Sequence, residues 1–192
     1  MNSKNTASDL ALVAVFAALT AVCSWISVPL PGGVPITLQT FAVLAAGLIL
    51  GPWRGFLALM LYLLVGAAGL PVFAGFKAGI NLSSPSVGFL LFFPVATLIC
   101  GALARLVARR GWKGQAIWMG IAAFIGSTFL YIPGLTGMII INKLEVWAAI
   151  AMIPTFLPGD LIKVVLAAAV AVAVRKAFPA LLFGHKYRAA AA

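Results

Sequence analysis

An acid and a base stand one helical turn apart in the run Phe156-Leu157-Pro158-Gly159-Asp160-Leu161-Ile162-Lys163. If this run opens a helix, Pro158 fits the first turn, where its missing N–H would have had no intrahelical partner. Asp160 then lies in the positive end of the helix dipole, which favours the carboxylate. Lys163 follows at i+3, and three steps of about 100° put it on nearly the same face, one turn deeper. The spacing thus places an acid and a base together, and one reading is that the pair binds a ligand. The bland alternative is mutual neutralisation, or side chains that reach lipid headgroups. Ionisable groups at a helix centre in hydrocarbon cost roughly 2.5–3.5 kcal/mol each, so a pair of this kind usually faces a cavity.

Two further stretches are candidates. Val34-Pro35-Ile36-Thr37-Leu38-Gln39-Thr40 precedes a short apolar run, and Gln39 there either points its amide into a site or, with Thr37, satisfies helix-start N–H groups. The segment from Leu70 to Pro85 is rich in glycine and proline and carries Phe73, Phe76 and Asn81. It suits a re-entrant lid over a pocket, or an exposed connector.

Enzyme chemistry finds no footing. The chain holds three carboxylates, Asp9, Glu145 and Asp160, and one histidine, His185, in a polar tail. Neither a Ser-His-Asp set nor a metal cluster can be assembled from these, and no catalytic or metal-ligating residue is assigned. Cys23 and Cys100 fall inside apolar stretches without metal-type spacing and read as small packing residues. There is no Gly-rich phosphate loop ending in Gly-Lys-Ser or Gly-Lys-Thr, so any ATP consumed must be hydrolysed by another subunit.

The elements that must position these residues are membrane spans. Of 192 residues, 64% are hydrophobic and 8% charged, against roughly one-quarter charged in a soluble domain. A hydrocarbon core about 30 Å thick takes about 20 residues per helix. Six apolar segments, about 10–28, 37–50, 55–69, 87–106, 115–132 and 158–174, predict an all-α integral membrane bundle, with residues 1–192 as one domain. The stretch 146–157, interrupted by Pro154 and Pro158, is expected to be a broken segment at the outer face. With the N-terminus inside, Lys4, Arg54, Arg105, Arg109, Arg110, Lys113, Arg175, Lys176, Lys186 and Arg188 flank the spans on the cytoplasmic side. Only Lys77 and Lys143 fall outside, so the net charge of +10 reads as topology, with both termini cytoplasmic. Attraction to anionic lipid accounts for the basic character without a nucleic-acid partner.

Pro31 to Thr40, the turn Leu50-Gly51-Pro52-Trp53-Arg54-Gly55, the run Gly66-Ala67-Ala68-Gly69-Leu70-Pro71-Val72-Phe73 and the segment Phe156 to Lys163 closely resemble the BioY family, in family order over nearly the whole chain. That family comprises the biotin-binding S components of energy-coupling factor (ECF) transporters. The resemblance implies a six-helix S-component fold, with biotin as the transported ligand and no cofactor. It also implies a pocket near the outer face, covered by the loops after helices 1 and 3. Carried over by residue, Asp160 and Lys163 resemble the pair that hydrogen-bonds the bicyclic ring, with Asn81 a third candidate, Phe73 covering the thioether ring and Gln39 a weaker inference. Where the family usually has a Gly-Pro-Thr-Gly-Gly-Tyr type run, this chain has Ser84-Pro85-Ser86-Val87-Gly88-Phe89. The departure bears on the shape of the lid and the contact of Asn81.

Ala14 and Ala18 form a small-xxx-small pair, which allows close approach of another helix. It resembles the surface by which S components dock on the transmembrane coupling subunit of a module that also carries ATPase subunits. Ala17 and Ala21 offer a second register, and internal packing a second use. The expected function is biotin capture at the outer face of a bacterial inner membrane and delivery inward with an ATP-driven ECF module. The rivals are an S component for another small vitamin, a membrane enzyme acting on lipid through Asp160 and Glu145, and a purely structural membrane subunit.

Overall fold

A computed structural model describes residues 3–30, 33–108 and 114–178. Pro31, Gly32, Arg109, Arg110, Lys113, His185, Lys186 and Arg188 lie outside the described residues.

Apolar composition folds the chain into helices, because only there are backbone N–H and C=O groups satisfied within the segment. In chain order these are α1 (Ser3–Trp25), α2 (Gln39–Leu50), α3 (Pro52–Ala67), α4 (Val87–Ala108), α5 (Gln115–Asn142), α6 (Val146–Ile150) and α7 (Ile153–Ala177). Thr6–Trp25, Val87–Leu106, Gln115–Asn142 and the α6–α7 stretch Val146–Ala177 are long and apolar enough to cross a membrane, while α2 and α3 are shorter apolar helices. Large apolar side chains such as Ile117, Ile132, Ile140 and Trp147 face outward, as lipid contact requires. The described residues form an all-α membrane bundle of four long and two shorter apolar helices.

Several boundaries differ from those expected of the sequence. Helix α1 ends at Trp25 rather than Val28, because β1 (Ser27–Val28) pairs antiparallel with β2 (Ile36–Thr37) in a small ladder. Helix α3 begins with Pro52 in its first turn and ends at Ala67, rather than spanning 55–69. Helix α5 does not stop at residue 132 but runs through Pro133 to Asn142. Helix α7 starts at Ile153, with Pro154 in its first turn and Pro158 inside the helix. Prolines are tolerated inside spans where neighbouring groups satisfy the freed carbonyl. Asp160 is thereby the eighth residue of α7, beyond the reach of the helix-start dipole, so the dipole argument for its ionisation does not hold.

Helix α2 is central, in contact with α1, α3, α4, α5 and α7, and ten of its twelve residues are buried. At 1.5 Å per residue it is only about 18 Å long, well short of a hydrocarbon core of about 30 Å. A short central helix within longer ones leaves space at one end. Close backbone approach holds the other end shut: a Cβ on Gly101 would come 2.6 Å from the Gly51 carbonyl carbon, and one on Gly47 2.7 Å from the Thr97 carbonyl oxygen. Thr97 Oγ1 donates to the Val43 carbonyl at 3.1 Å across the same seam, where Cys100 is fully buried. Arg54, Arg105, Arg175 and Lys176 lie at this closed end by the run of their helices. Arg54 pairs there with Asp9 at 2.9 Å, and the buried Arg175 donates to Gln115 at 3.3 Å.

Candidate functional site

The open end beyond α2 is a cavity of about 320 Å³, bounded by β2 and the start of α2, the 68–86 segment, and the walls of α4, α5 and α7. Its size falls in the usual range for small-ligand sites, about 300–1,000 Å³. Asp160, Lys163, Asn81, Gln39 and Phe73 all line it. Residues separated by up to 124 positions are thus brought to one space (163 − 39).

Its polar centre lies on α7. Lys163 is 7% exposed, and its Nζ donates to Asp160 Oδ1 at 2.9 Å. Tyr131 donates its hydroxyl to the other carboxylate oxygen, Oδ2, at 2.6 Å. The carboxylate is held from both sides, by a helix neighbour and by a residue of α5. Sequence reasoning missed Tyr131. The available signal was a phenol inside an apolar helix, two residues before an interior proline, because a hydroxyl at that depth needs a partner. Each oxygen keeps lone-pair capacity and Lys163 keeps two donor hydrogens, so the pair can still grip a ligand.

The opposite wall is built on a buried hydrogen-bond chain. Gln39 Nε2 donates to Tyr62 Oη at 2.7 Å, and Tyr62 donates to the Val72 carbonyl at 3.1 Å. Ser24 Oγ lies 2.6 Å from the same carbonyl, and Trp25 Nε1 donates to the Pro71 carbonyl at 3.0 Å. Gln39 therefore serves structure with its amide N–H while it also lines the cavity. The capping role falls to Thr37, whose Oγ1 accepts from the Gln39 N–H at 3.3 Å. Tyr62 had no place among the expected residues, yet it anchors this wall.

Phe73 stands edge-on to Tyr62, with ring centroids 5.4 Å apart, and is nearly fully buried. A Cβ on Gly66 would strike the Phe73 ring, so the glycine is what gives this ring its place in the cavity wall. Asn81 closes a turn, with Oδ1 accepting from the Ser83 N–H at 2.9 Å, and it lines the cavity. The hydroxyls of Ser84, which stands where the family run has its first glycine, and Ser86, at the threonine position, lie 2.9 Å apart, and the turn leads directly into α4.

Tyr131→Phe is expected to weaken capture of the cavity's ligand about tenfold while leaving the fold intact. It removes one hydrogen bond to a charged oxygen, worth about 1.5 kcal/mol. Isothermal titration of the folded variant measures this, and an unchanged affinity would show that Tyr131 plays no part in ligand capture.

Ala14 and Ala18 lie on the exposed face of α1, whereas Ala17 and Ala21 are buried in the core. Among the described residues no group of three or more His, Cys, Asp or Glu side chains stands close enough to hold a metal ion.

A family model described as the BioY family matches residues 1–180. The chain is 43% identical to the probable biotin transporter BioY of Pyrococcus horikoshii, over 70% of this chain and 86% of that one. It is 34% identical to the biotin transporter BioY of Rhodobacter capsulatus, over 92% and 98% of the two chains. With the biotin transporter BioY of Thermotoga maritima it shares 36% identity over 84% of this chain and 92% of that one. The fold matches a 2.1 Å crystal structure of the S-component for biotin from an ECF-type ABC transporter, with a TM-score of 0.79 at 23% identity, over 92% of this chain and 95% of that one.

Proposed function

This chain belongs to the BioY family, and from that premise we propose that it is a biotin-binding membrane subunit that takes up biotin together with an ATP-driven ECF module. The observation that carries the reading is the convergence of Asp160, Lys163 and Tyr131 on one wall of a cavity whose other walls carry Gln39, Phe73 and Asn81. The ureido ring of biotin offers two N–H donors and one carbonyl acceptor. Asp160 accepts from an N–H, Lys163 donates to the carbonyl, the amides of Asn81 and Gln39 take remaining polar edges, and Phe73 covers the apolar thioether ring.

The bundle crosses the membrane six times as one domain over residues 1–192, with both ends cytoplasmic and the cavity facing outward, in the inner membrane of a bacterial cell. In support, Arg54, Arg105, Arg175 and Lys176 share the end away from the cavity, where the positive-inside rule puts cations. The transmembrane coupling subunit docks along Ala14 and Ala18, whose small side chains lie outward on α1. Replacing both alanines by leucine is expected to leave biotin binding intact. Co-purification with the coupling and ATPase subunits should then be lost, and retention of the complex would move the docking face elsewhere.

Equilibrium binding of biotin to the purified chain in detergent tests the reading. Tight binding is expected. A folded chain that binds no biotin but takes another small vitamin would shift the substrate and leave the membrane fold standing. An enzymatic alternative using Asp160 with Glu145 has less support, because Glu145 stands just before α6 and is not among the residues lining the cavity.

A further inference from the structure

The cavity is electrically unbalanced. Of the residues that line it, three are charged, Lys77, Asp160 and Lys163. Asp160 and Lys163 neutralise each other at 2.9 Å, which leaves Lys77 in excess. All three of the chain's carboxylates, Asp9, Glu145 and Asp160, are among the described residues, and none pairs with Lys77. The two cationic positions also differ in depth, for Lys163 is buried and Lys77 is exposed.

Local geometry holds Lys77 at this rim. The Phe73 N–H donates to the Lys77 carbonyl at 3.1 Å and the Lys77 N–H to the Phe73 carbonyl at 3.3 Å, closing a tight hairpin. Gly75 and Phe76 turn the chain with φ of +73° and +58°, the second a conformation that non-glycine residues rarely adopt. Phe76 stacks on Trp25 with ring centroids 5.1 Å apart, a contact that offsets part of the cost of that turn. Phe76 therefore points away to α1, while Phe73 and Lys77 both line the cavity.

We propose that Lys77 is the counter-ion for the anionic end of the ligand, so that the site selects a monoanion with a polar neutral head. Resting on the biotin reading, this sets the bicyclic ring deep against Asp160 and Lys163 and brings the valerate carboxylate to the mouth beside Lys77. A carboxylate there neutralises the excess charge where the pair is only partly screened by water.

Titration of the purified chain in detergent with biotin and with its neutral carboxamide tests this. The parent should bind biotin about tenfold more tightly than the amide, a gap of about 1.4 kcal/mol, and the gap should shrink as salt approaches about 1 M. Lys77→Met should close the gap to within about twofold, mainly by weakening biotin, and Lys77→Arg should preserve it. A gap that survives in Lys77→Met, or a parent that does not discriminate, would overturn the role of Lys77 and leave the biotin reading intact. A folded parent that binds neither compound would overturn both.

Discussion

Asp160→Asn should reduce biotin binding by about 100-fold or more and lower the stability of the protein, whereas Asp160→Asn with Lys163→Met should lose binding to the same degree but regain part of the stability. The two effects separate because Asp160 holds two jobs. Its Oδ1 balances the buried Lys163 ammonium, and its Oδ2 accepts from Tyr131. The amide keeps the shape but not the charge, which strands an ammonium that is 7% exposed. Breaking a buried pair from one side costs about 3–5 kcal/mol, and replacing both partners by apolar groups is often close to neutral. Affinity has no such recovery, since in the proposed binding mode the ring loses its charged acceptor and its donor together. Lys163→Ala should also lose binding strongly, because in that mode it removes the carbonyl's donor, and it leaves Asp160 with Tyr131 alone. Thermal unfolding in detergent, read beside biotin titration, checks both quantities. Equal stability of Asp160→Asn and the parent would mean that the pair is not enclosed as described.

Gly88→Ala should destabilise the bundle by about 2 kcal/mol or more and abolish biotin binding. A Cβ at this position would run into the Pro133 carbonyl oxygen and come 2.7 Å from its carbon, with the Gly134 Cα at 3.3 Å. Every obstacle is backbone, so no side chain can swing aside and α4 must move off α5. Overpacking of this kind typically costs about 1–3 kcal/mol. The damage would spread directly to the site, because Tyr131 lies two residues before Pro133 and Phe89, which lines the cavity, follows Gly88. Gly120→Ala makes the contrast: no atom lies within 4 Å of its added Cβ, and alanine is favoured over glycine in a helix by about 0.5–1 kcal/mol. Detergent unfolding curves of the two variants should therefore move in opposite directions. Parent-like melting of Gly88→Ala would contradict the close crossing of α4 and α5.

The residues that line the cavity were legible to different extents. Asp160 and Lys163 declared themselves, since two charges are rare in so apolar a run and their i+3 spacing places them on one helical face whatever surrounds the helix. Phe73 and Asn81 were legible as parts of a glycine- and proline-rich segment suited to a lid, and the family resemblance supplied the ligand contacts expected of them. Gln39 was ambiguous because the amide of one residue can satisfy a helix start or reach a ligand. It reaches Tyr62, and Thr37 satisfies its backbone N–H. Tyr131 and Lys77, which line the cavity, and Tyr62, which supports its wall from behind, were not assigned to the site. Their part in it depends on which helices and loops meet, and no local pattern carries that information.

By itself the sequence determined that this is a membrane protein, which stretches are apolar enough to enter the bilayer, and that an acid–base pair lies within one of them. These follow from composition and from the fixed pitch of a helix, both local properties. Tertiary structure alone decided that α5 continues through Pro133 and that Pro158 lies inside α7 rather than opening it. A proline ends a helix in water, but in a packed membrane bundle its consequence depends on whether neighbours satisfy the freed carbonyl. It also decided that Ala14 and Ala18 face outward while Ala17 and Ala21 face the core, since both registers are small-residue pairs and only the position of the other helices distinguishes them. The cavity itself belongs to this second class. It exists because a twelve-residue helix is enclosed by longer ones, and the space beyond a short helix is a property of its neighbours.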